Sequence, residues 1–257
     1  MVQRQHHRRN TQTARGRASV KSAPSRRRDA IVVAMQDGVY ERNEQDFMRL
    51  VVRPGMHVVD VGAHVGFHTS HLARLVGAVG SVTAFEPVPE YSAVLSDMIR
   101  ARGWGSRVRL VRAAAGDVTG TQMMVVGGPA LARPNAYFDD GLVSEDDATR
   151  RRVPVVRLDD AISNRPVGFL KIDVEGAEAL VLRGARRLLG DDCPVVLLDL
   201  HPHLMAHLDG TTPAMLIRQM AWLDYECRLL GAGVPGPTVT DVHARGVTTV
   251  VFLPPGH

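Results

Sequence analysis

Only two cysteines, Cys193 and Cys227, occur in 257 residues. That is too few for a disulfide framework, and their separation is not that of metal ligands. Each sits at the edge of an apolar run, so both are expected to be buried thiols in a reducing, cytoplasmic setting. No run of about 18 apolar residues is present, which argues against a membrane span. The N-terminus also lacks the apolar stretch of a secretory signal. Lysine is nearly missing: of 31 basic residues only Lys21 and Lys171 are lysines.

Acidic residues are absent from positions 1–28, which hold nine Lys or Arg. Without those nine, 22 basic residues face 27 acids, so residues 29–257 carry −5 although the whole chain carries +4. A folded nucleic-acid binder should show a basic face on its core. The mildly acidic core disfavours that class. Residues 1–28 lack apolar periodicity and are expected to form a solvated, disordered tail. Their composition also fits an organellar transit peptide or a polyanion-binding arm. Residues 29–257, 45% hydrophobic in the chain as a whole, suit a single domain.

Beyond the tail, short apolar runs alternate with helix-period segments. Strands are expected at 56–62, 81–87, 107–114, 168–174, 194–200, 226–231 and 247–253. Helices are expected at 68–76, 90–102, 176–189 and 212–223, the last capped by Thr212 with Pro213 in its first turn. This order predicts an α/β fold with a seven-stranded, mostly parallel sheet and helices on both faces. Residues 117–157 break the alternation; they read as a hairpin plus a mobile loop, a candidate lid or substrate loop. The segment GAGVPGPTVTD before the last strand reads as a loop.

The strand-to-helix turn Asp60-Val61-Gly62-Ala63-His64-Val65-Gly66 is the first candidate site. Gly62 and Gly66 permit a tight turn and close approach of backbone amides to a ligand, with the following helix N-terminus aimed at it. A dinucleotide fold would place G-x-G-x-x-G here. An acid at the strand end repels pyrophosphate and instead suits ammonium and sulfonium charges. Glu86, followed by Pro87 at the end of the second strand, is placed to accept both ribose hydroxyls of a nucleoside. Together the two sites predict a nucleoside cofactor carrying positive charge.

Strand four ends in Lys171-Ile172-Asp173-Val174-Glu175-Gly176-Ala177-Glu178, at the strand edge where open α/β sheets bind ligands. Asp173 is expected near the reacting group, while Glu175 and Glu178 also fit a helix N-terminus. Lys171, inside an apolar strand, should snorkel or pair with a carboxylate. His201 ends strand five and is a candidate general base; His203 and His207 lie further on. Asp173, Asp199 and His201 are suitable cation ligands, but their spacing demands no metal, and none is expected to be obligatory. Tyr40, Phe47 and Tyr137 are candidates to pack on a substrate, Phe47 more readily in the core.

The stretches DVGAHVGFHT, AFEP, AAAGD, VVRLDD, KIDVEGAEALVLRGA and LDLHP resemble the FkbM family of methyltransferases over residues 36–205. KIDVEGAE is the most specific of them, and His64 departs from the Asn that many relatives carry. The resemblance implies a Rossmann-like class I fold with S-adenosylmethionine (SAM) as methyl donor. It also implies O-methylation of a sugar, polyketide or other specialised metabolite as the expected reaction. Asp60, Gly62, Ala63, His64, Gly66, Glu86 and Pro87 become candidate cofactor contacts, with Asp173 near the methyl group. Methylation of RNA or protein, SAM binding without catalysis and an NAD-dependent enzyme are the competing classes. An amino-directed nucleic-acid methyltransferase would carry N/D-P-P-Y/F after strand four, where IDVEG stands. Oligomeric state is not readable.

Overall fold

A computed structural model describes residues 41–126, 136–138, 150–242 and 246–256. The basic segment 1–28 and Tyr40 lie outside the described residues, as do residues 127–135 and 139–149. In chain order the elements begin with α1 (Arg42–Val51), β1 (His57–Val61), α2 (Phe67–Leu75), β2 (Ser81–Phe85), α3 (Pro89–Ala101) and β3 (Val108–Val111). There follow β4 (Ala114–Ala115), β5 (Gly120–Val126), β6 (Ala136–Phe138), β7 (Arg150–Val156), α4 (Leu158–Ala161), β8 (Val167–Ile172), α5 (Glu178–Arg183) and α6 (Arg186–Asp192). The chain continues with β9 (Val195–Leu200), α7 (Pro202–Asp209), α8 (Pro213–Ala221), β10 (Glu226–Gly231), β11 (Val234–Thr238) and β12 (Thr248–Leu253).

The main sheet has the order β11-β10-β12-β9-β8-β1-β2-β3. Five strands from β3 to β9 are mutually parallel, and β12 inserts antiparallel between β9 and β10. Alternate residues of β1 feed opposite faces: Val59 and Val61 pack with Leu182, Leu188 and Leu216 from α5, α6 and α8. Val58 packs with Phe47, Leu72 and Leu95 from α1, α2 and α3. The sheet is thus covered on both sides, which is why β1, β8 and β9 are Val- and Leu-rich along their length. Phe47 belongs to this core.

The sheet has eight strands rather than seven. The extra one, β11, lies inside the Pro/Gly-rich segment expected to be a loop. Ala232 and Gly233 both take positive φ, 51° and 75°, the conformation of a two-residue hairpin turn. Pro235 and Pro237 are tolerated because β11 is an edge strand with one partner. The 117–157 hairpin is present as β5 against β7; β4 and β6 extend it into a second, four-stranded sheet. Much of the expected mobile loop lies outside the described residues.

The helix expected over 176–189 is two helices. The buried Asp159 carboxylate accepts from the backbone N–H groups of Arg187 (3.1 Å) and Leu188 (2.9 Å), giving the second helix its own N-terminal anion. The Thr212 hydroxyl accepts from Met215 N–H at 3.3 Å, as expected of its cap. Cys193 and Cys227 are both free thiols. Cys227 is buried, but Cys193 is half-exposed at a helix end rather than buried. No helix among the described residues is long and apolar enough to cross a membrane.

Candidate active site

The tips of β1, β2 and β8 surround one cavity. Gly62, Ala63 and His64 form one wall, Glu86, Pro87 and Tyr91 another, and Lys171, Asp173 and Glu175 a third. Met124 and Phe138 of the second sheet also line it, as do Glu41 and His68. Tyr91, Glu41 and His68 carried no sequence signal. His68 is joined to Glu41 by a very short ring–carboxylate contact, and its place in the first turn of α2 looks unremarkable until the fold brings Glu41 over it.

The Gly62–Gly66 turn is built differently from the sequence expectation. The N–H groups of Gly62 and Ala63 donate to the Phe85 carbonyl at 3.1 and 3.0 Å, and Gly66 N–H donates to Ala63 at 2.8 Å. His64 N–H donates to Glu86 Oε2 at 2.8 Å. These amides are spent inside the turn and do not face the cavity as free donors, because β1 and β2 end side by side and their tips satisfy one another. The glycines answer to packing. Gly62 (φ 81°) leaves no room for a β-carbon beside the Asp173 carbonyl, and Gly66 (φ 94°) lies against Leu95 and Met98. His64 also adopts positive φ, 50°, and its ring stands edge-on to Tyr91 with centroids 4.1 Å apart.

Asp60 is fully buried and lies behind the cavity wall. Its Oδ2 accepts from the Thr69 hydroxyl at 2.5 Å, while Oδ1 is buried without a hydrogen-bond partner. Glu86 does face the cavity. Its two oxygens accept backbone N–H groups from His64 and Val88, each at 2.8 Å. Burial pushes this carboxyl up to about 7; the two hydrogen bonds oppose the rise and the Asp60 charge adds to it.

Lys171 is almost wholly buried, its Nζ 3.4 Å from Asp173 Oδ2 and 3.8 Å from Asp199 Oδ2. Burial alone would discharge it. The carboxylates of Asp173, Asp199, Asp60 and Glu41 outweigh that and hold it charged, above the ordinary lysine range. The expected pairing of this lysine is therefore present. Asp199 also accepts from the Thr249 hydroxyl at 2.6 Å, and burial raises its carboxyl to about 6 against the pull of Lys171.

His201 sits behind Asp173 and Glu175 rather than in the cavity wall. Its Nδ1 donates to Glu178 Oε1 at 2.7 Å, and Glu178 is fully buried. Glu178 Oε1 also accepts from Gly176 N–H at 3.0 Å, so it serves the ring as well as the start of α5. Burial depresses the imidazole, but the Glu178 bond and the Glu178, Glu175 and Asp173 charges outweigh it and raise it to about 9. The surrounding carboxylates thus favour the protonated ring, the form in which it donates. Burial pushes Glu175 up to about 7, opposed by His201 and reinforced by Asp173 and Glu178. His203 and His207 stand edge-to-face along α7, centroids 4.4 Å apart, and take no part in the cavity wall.

Around the cavity the carboxyls of Glu41, Glu86, Asp173 and Glu175 face one ammonium, Lys171; Glu86 and Glu175, pushed up to about 7 by burial, ionise more fully when a positive charge enters. Such a surface attracts a cationic ligand and repels phosphate. A family model described as the Methyltransferase FkbM domain matches residues 60–216. A solved structure described as methyltransferase FkbM from Methylobacillus flagellatus KT is similar, with a TM-score of 0.52 and 20% identity over 88% of this chain and 54% of that one. The chain thus spans about half the length of that relative. A TehB-like SAM-dependent methyltransferase from Corynebacterium glutamicum aligns with a TM-score of 0.50 and 11% identity, over 90% of this chain and 97% of that one. At such identities both are likenesses of fold. A search of curated proteins found no match.

Proposed function

Because the chain belongs to the FkbM family of methyltransferases, with S-adenosylmethionine as methyl donor, we propose that it methylates a hydroxyl group of a small molecule. A sugar, a polyketide or another specialised metabolite is the expected class of acceptor. The observation that carries this reading is the Asp173 carboxylate in the wall of an acid-lined cavity, shared with the apolar Met124 and Phe138. A phosphate backbone is poorly matched to such a lining.

The donor brings an electrophilic methyl group on a sulfonium; the residues present fit a cationic nucleoside of that kind. Glu86 is assigned to the ribose hydroxyls. A carboxylate offers about four acceptor positions, and backbone N–H groups take one on each oxygen, so capacity remains for two more donors. Gly62, Ala63, His64 and Pro87 shape the cradle, and Gly66 supports it from behind. Asp60 acts through its charge: its unpartnered, buried Oδ1 adds negative potential without touching the ligand. Tyr91 and Phe85 supply apolar surface.

Asp173 is assigned to the acceptor. It is held by Lys171 on one side and by its own N–H donating to Val61 O at 3.0 Å, so its carboxylate is preorganised to take a hydrogen bond from a hydroxyl. Holding the acceptor oxygen in line with the methyl group is the larger contribution, and removing its proton the smaller. His201 is a positioning residue that acts through Asp173 and Glu175. The setting is expected to be the cytoplasm, in keeping with the free thiols.

The experiment is incubation of the full chain with SAM and a panel of hydroxylated small molecules, RNA and protein, read out as S-adenosylhomocysteine. Product formed with at least one hydroxyl acceptor, and not with its deoxy analogue, supports the reading. Transfer only to RNA or protein overturns it.

A further inference from the structure

Asp173, Glu175 and His201 offer three ligand atoms that all lie within 4.8 Å of one another. His201 Nε2 is 3.4 Å from Glu175 Oε2 and 3.9 Å from Asp173 Oδ1. An ion bonded at about 2.0–2.3 Å with tetrahedral or octahedral angles needs its ligand atoms roughly 3.0–3.7 Å apart. Of the three pairs, His201–Glu175 already has that spacing, His201–Asp173 exceeds it by about 0.2 Å, and Asp173–Glu175 lies within 4.8 Å.

The orientation of the ring is a separate observation. Glu178, a carboxylate, can only accept, so Nδ1 carries the proton of that 2.7 Å hydrogen bond. Nε2 is thereby turned toward the Asp173 and Glu175 oxygens, yet no hydrogen bond among the described residues uses it. Without an ion, a second ring proton on Nε2 is what offsets those two carboxylates, and Glu178 Oε2, buried with no partner, adds further negative charge beside the same ring. Positive charge belongs at Nε2. A carboxylate that receives one ring N–H while the other nitrogen faces the ligand set is the usual outer support of a histidine bound to a metal.

We propose that Asp173, Glu175 and His201 form a binding site for one divalent metal ion, with Glu178 fixing the histidine. Two carboxylates and one imidazole suit Mn²⁺ better than the thiolate-seeking ions. Asp173 and Glu175 also line the cavity, so the ion keeps open positions on the side where an acceptor enters. There it takes an acceptor hydroxyl and lowers its pKa; binding displaces the proton from His201 Nε2, which then serves as a ligand and not as a base. That role rests on the proposed hydroxyl acceptor; the ion site does not. The site goes beyond the expectation that no metal is obligatory, and it uses Glu175 in place of Asp199, which Thr249 and Lys171 already hold.

The test is titration of Mn²⁺ into the full chain after treatment with EDTA, followed by the electron paramagnetic resonance of free Mn²⁺ and by calorimetry. One ion per chain is expected, with spin-echo modulation showing a single imidazole nitrogen bound to it. Glu175→Gln and His201→Ala each weaken Mn²⁺ binding by more than about tenfold while S-adenosylhomocysteine affinity stays within that factor. Absence of binding at millimolar Mn²⁺, binding without nitrogen modulation, or binding undiminished in both variants overturns the site. The spin-echo reading needs only the wild-type chain, so a variant that fails to fold does not remove the test. If Mn²⁺ binds here but no hydroxyl is ever methylated, the acceptor reading fails and the ion site stands.

Discussion

Gly62 stands so close to Asp173 that a β-carbon on it would lie 1.8 Å from the Asp173 carbonyl oxygen. The turn after β1 and the acidic tip of β8 are therefore one unit, and the carbonyl cannot yield without moving the carboxylate of the same residue. Gly62→Ala is expected to cost about 1–3 kcal/mol of stability through overpacking, with strain at φ 81° in addition. S-adenosylhomocysteine affinity should fall with it, by more than about tenfold (1.4 kcal/mol). Thermal unfolding and calorimetry check both. A variant with wild-type melting temperature and affinity would show that the two strand tips are independent.

Glu86 predicts a pH dependence of cofactor affinity. Its carboxyl titrates at about 7 in the unliganded protein because burial penalises the charged form. Only the ionised form can accept from both ribose hydroxyls while keeping its two backbone donors, so binding favours ionisation and lowers this pKa. Affinity for S-adenosylhomocysteine should therefore rise with pH and level off above about 7. Below that it should weaken by up to about tenfold per pH unit. Glu86→Gln, with one acceptor oxygen replaced by a donor, should bind more weakly and without this slope. A slope unchanged in the variant would assign it to another group.

Asp173→Asn keeps the shape of the side chain and removes its charge. Turnover should drop by about a hundredfold or more, with S-adenosylhomocysteine affinity within about tenfold. His201→Ala, acting through its neighbours, should lower kcat by about 10–100-fold with a smaller change in KM for SAM. Equal loss of kcat and cofactor affinity in both variants would point to a collapsed site, and wild-type rates would remove both residues from the reaction.

Much of this was legible in the sequence, and the exceptions have physical causes. Parallel strands buried on both faces read as continuous apolar runs, so β1, β8 and β9 stood out. The antiparallel place of β12 between β9 and β10 is not expressed in the pattern of the two closing apolar runs; it belongs to the fold. Strand β11 did not stand out because Pro235 and Pro237 are disfavoured in strands except at an edge, and edge position is a tertiary fact. The break between α5 and α6 depends on Asp159, a residue distant in sequence that caps the second helix. At the site, Asp173, Glu86 and Lys171 lay in recognisable stretches, and the pairing expected of Lys171 is present. The Glu41–His68 contact and the Glu178–His201 bond join residues 27 and 23 positions apart, pairings that local pattern does not express. The amides of the turn itself were misjudged for a similar reason: Gly62 and Ala63 donate to Phe85 at the end of β2 and His64 to Glu86 just past it, partners that only the fold brings alongside.

Lys171 supplies a stability prediction. It is buried among Asp173, Asp199 and Asp60, and removing it leaves carboxylates without compensation in a poorly solvated place. Lys171→Met should destabilise the fold by about 3–5 kcal/mol, measured by denaturant unfolding. Asp199→Asn in the same chain should recover part of that loss, because the amide keeps a hydrogen bond with Thr249 and removes one unpaired charge. Additive losses in the double variant would mean that the two side chains do not share an interaction.

The basic segment offers the sharpest contrast between acceptor classes. Residues 1–28 carry nine positive charges and residues 29–257 a net −5, so any polyanion must be attracted by the segment and repelled by the remainder. For an RNA acceptor, deleting residues 1–28 removes most of the favourable electrostatics, and KM should rise steeply with a weaker salt dependence. For an uncharged hydroxyl acceptor reaching the cavity beside Asp173, neither effect is expected. Deletion of residues 1–28 should therefore leave kcat and KM for the small-molecule acceptor within about twofold, a change of roughly 0.4 kcal/mol, at both low and high salt. Steady-state kinetics at two ionic strengths decide it. A large, salt-dependent rise in KM on deletion would give the segment a part in acceptor capture and favour RNA over the small-molecule acceptor.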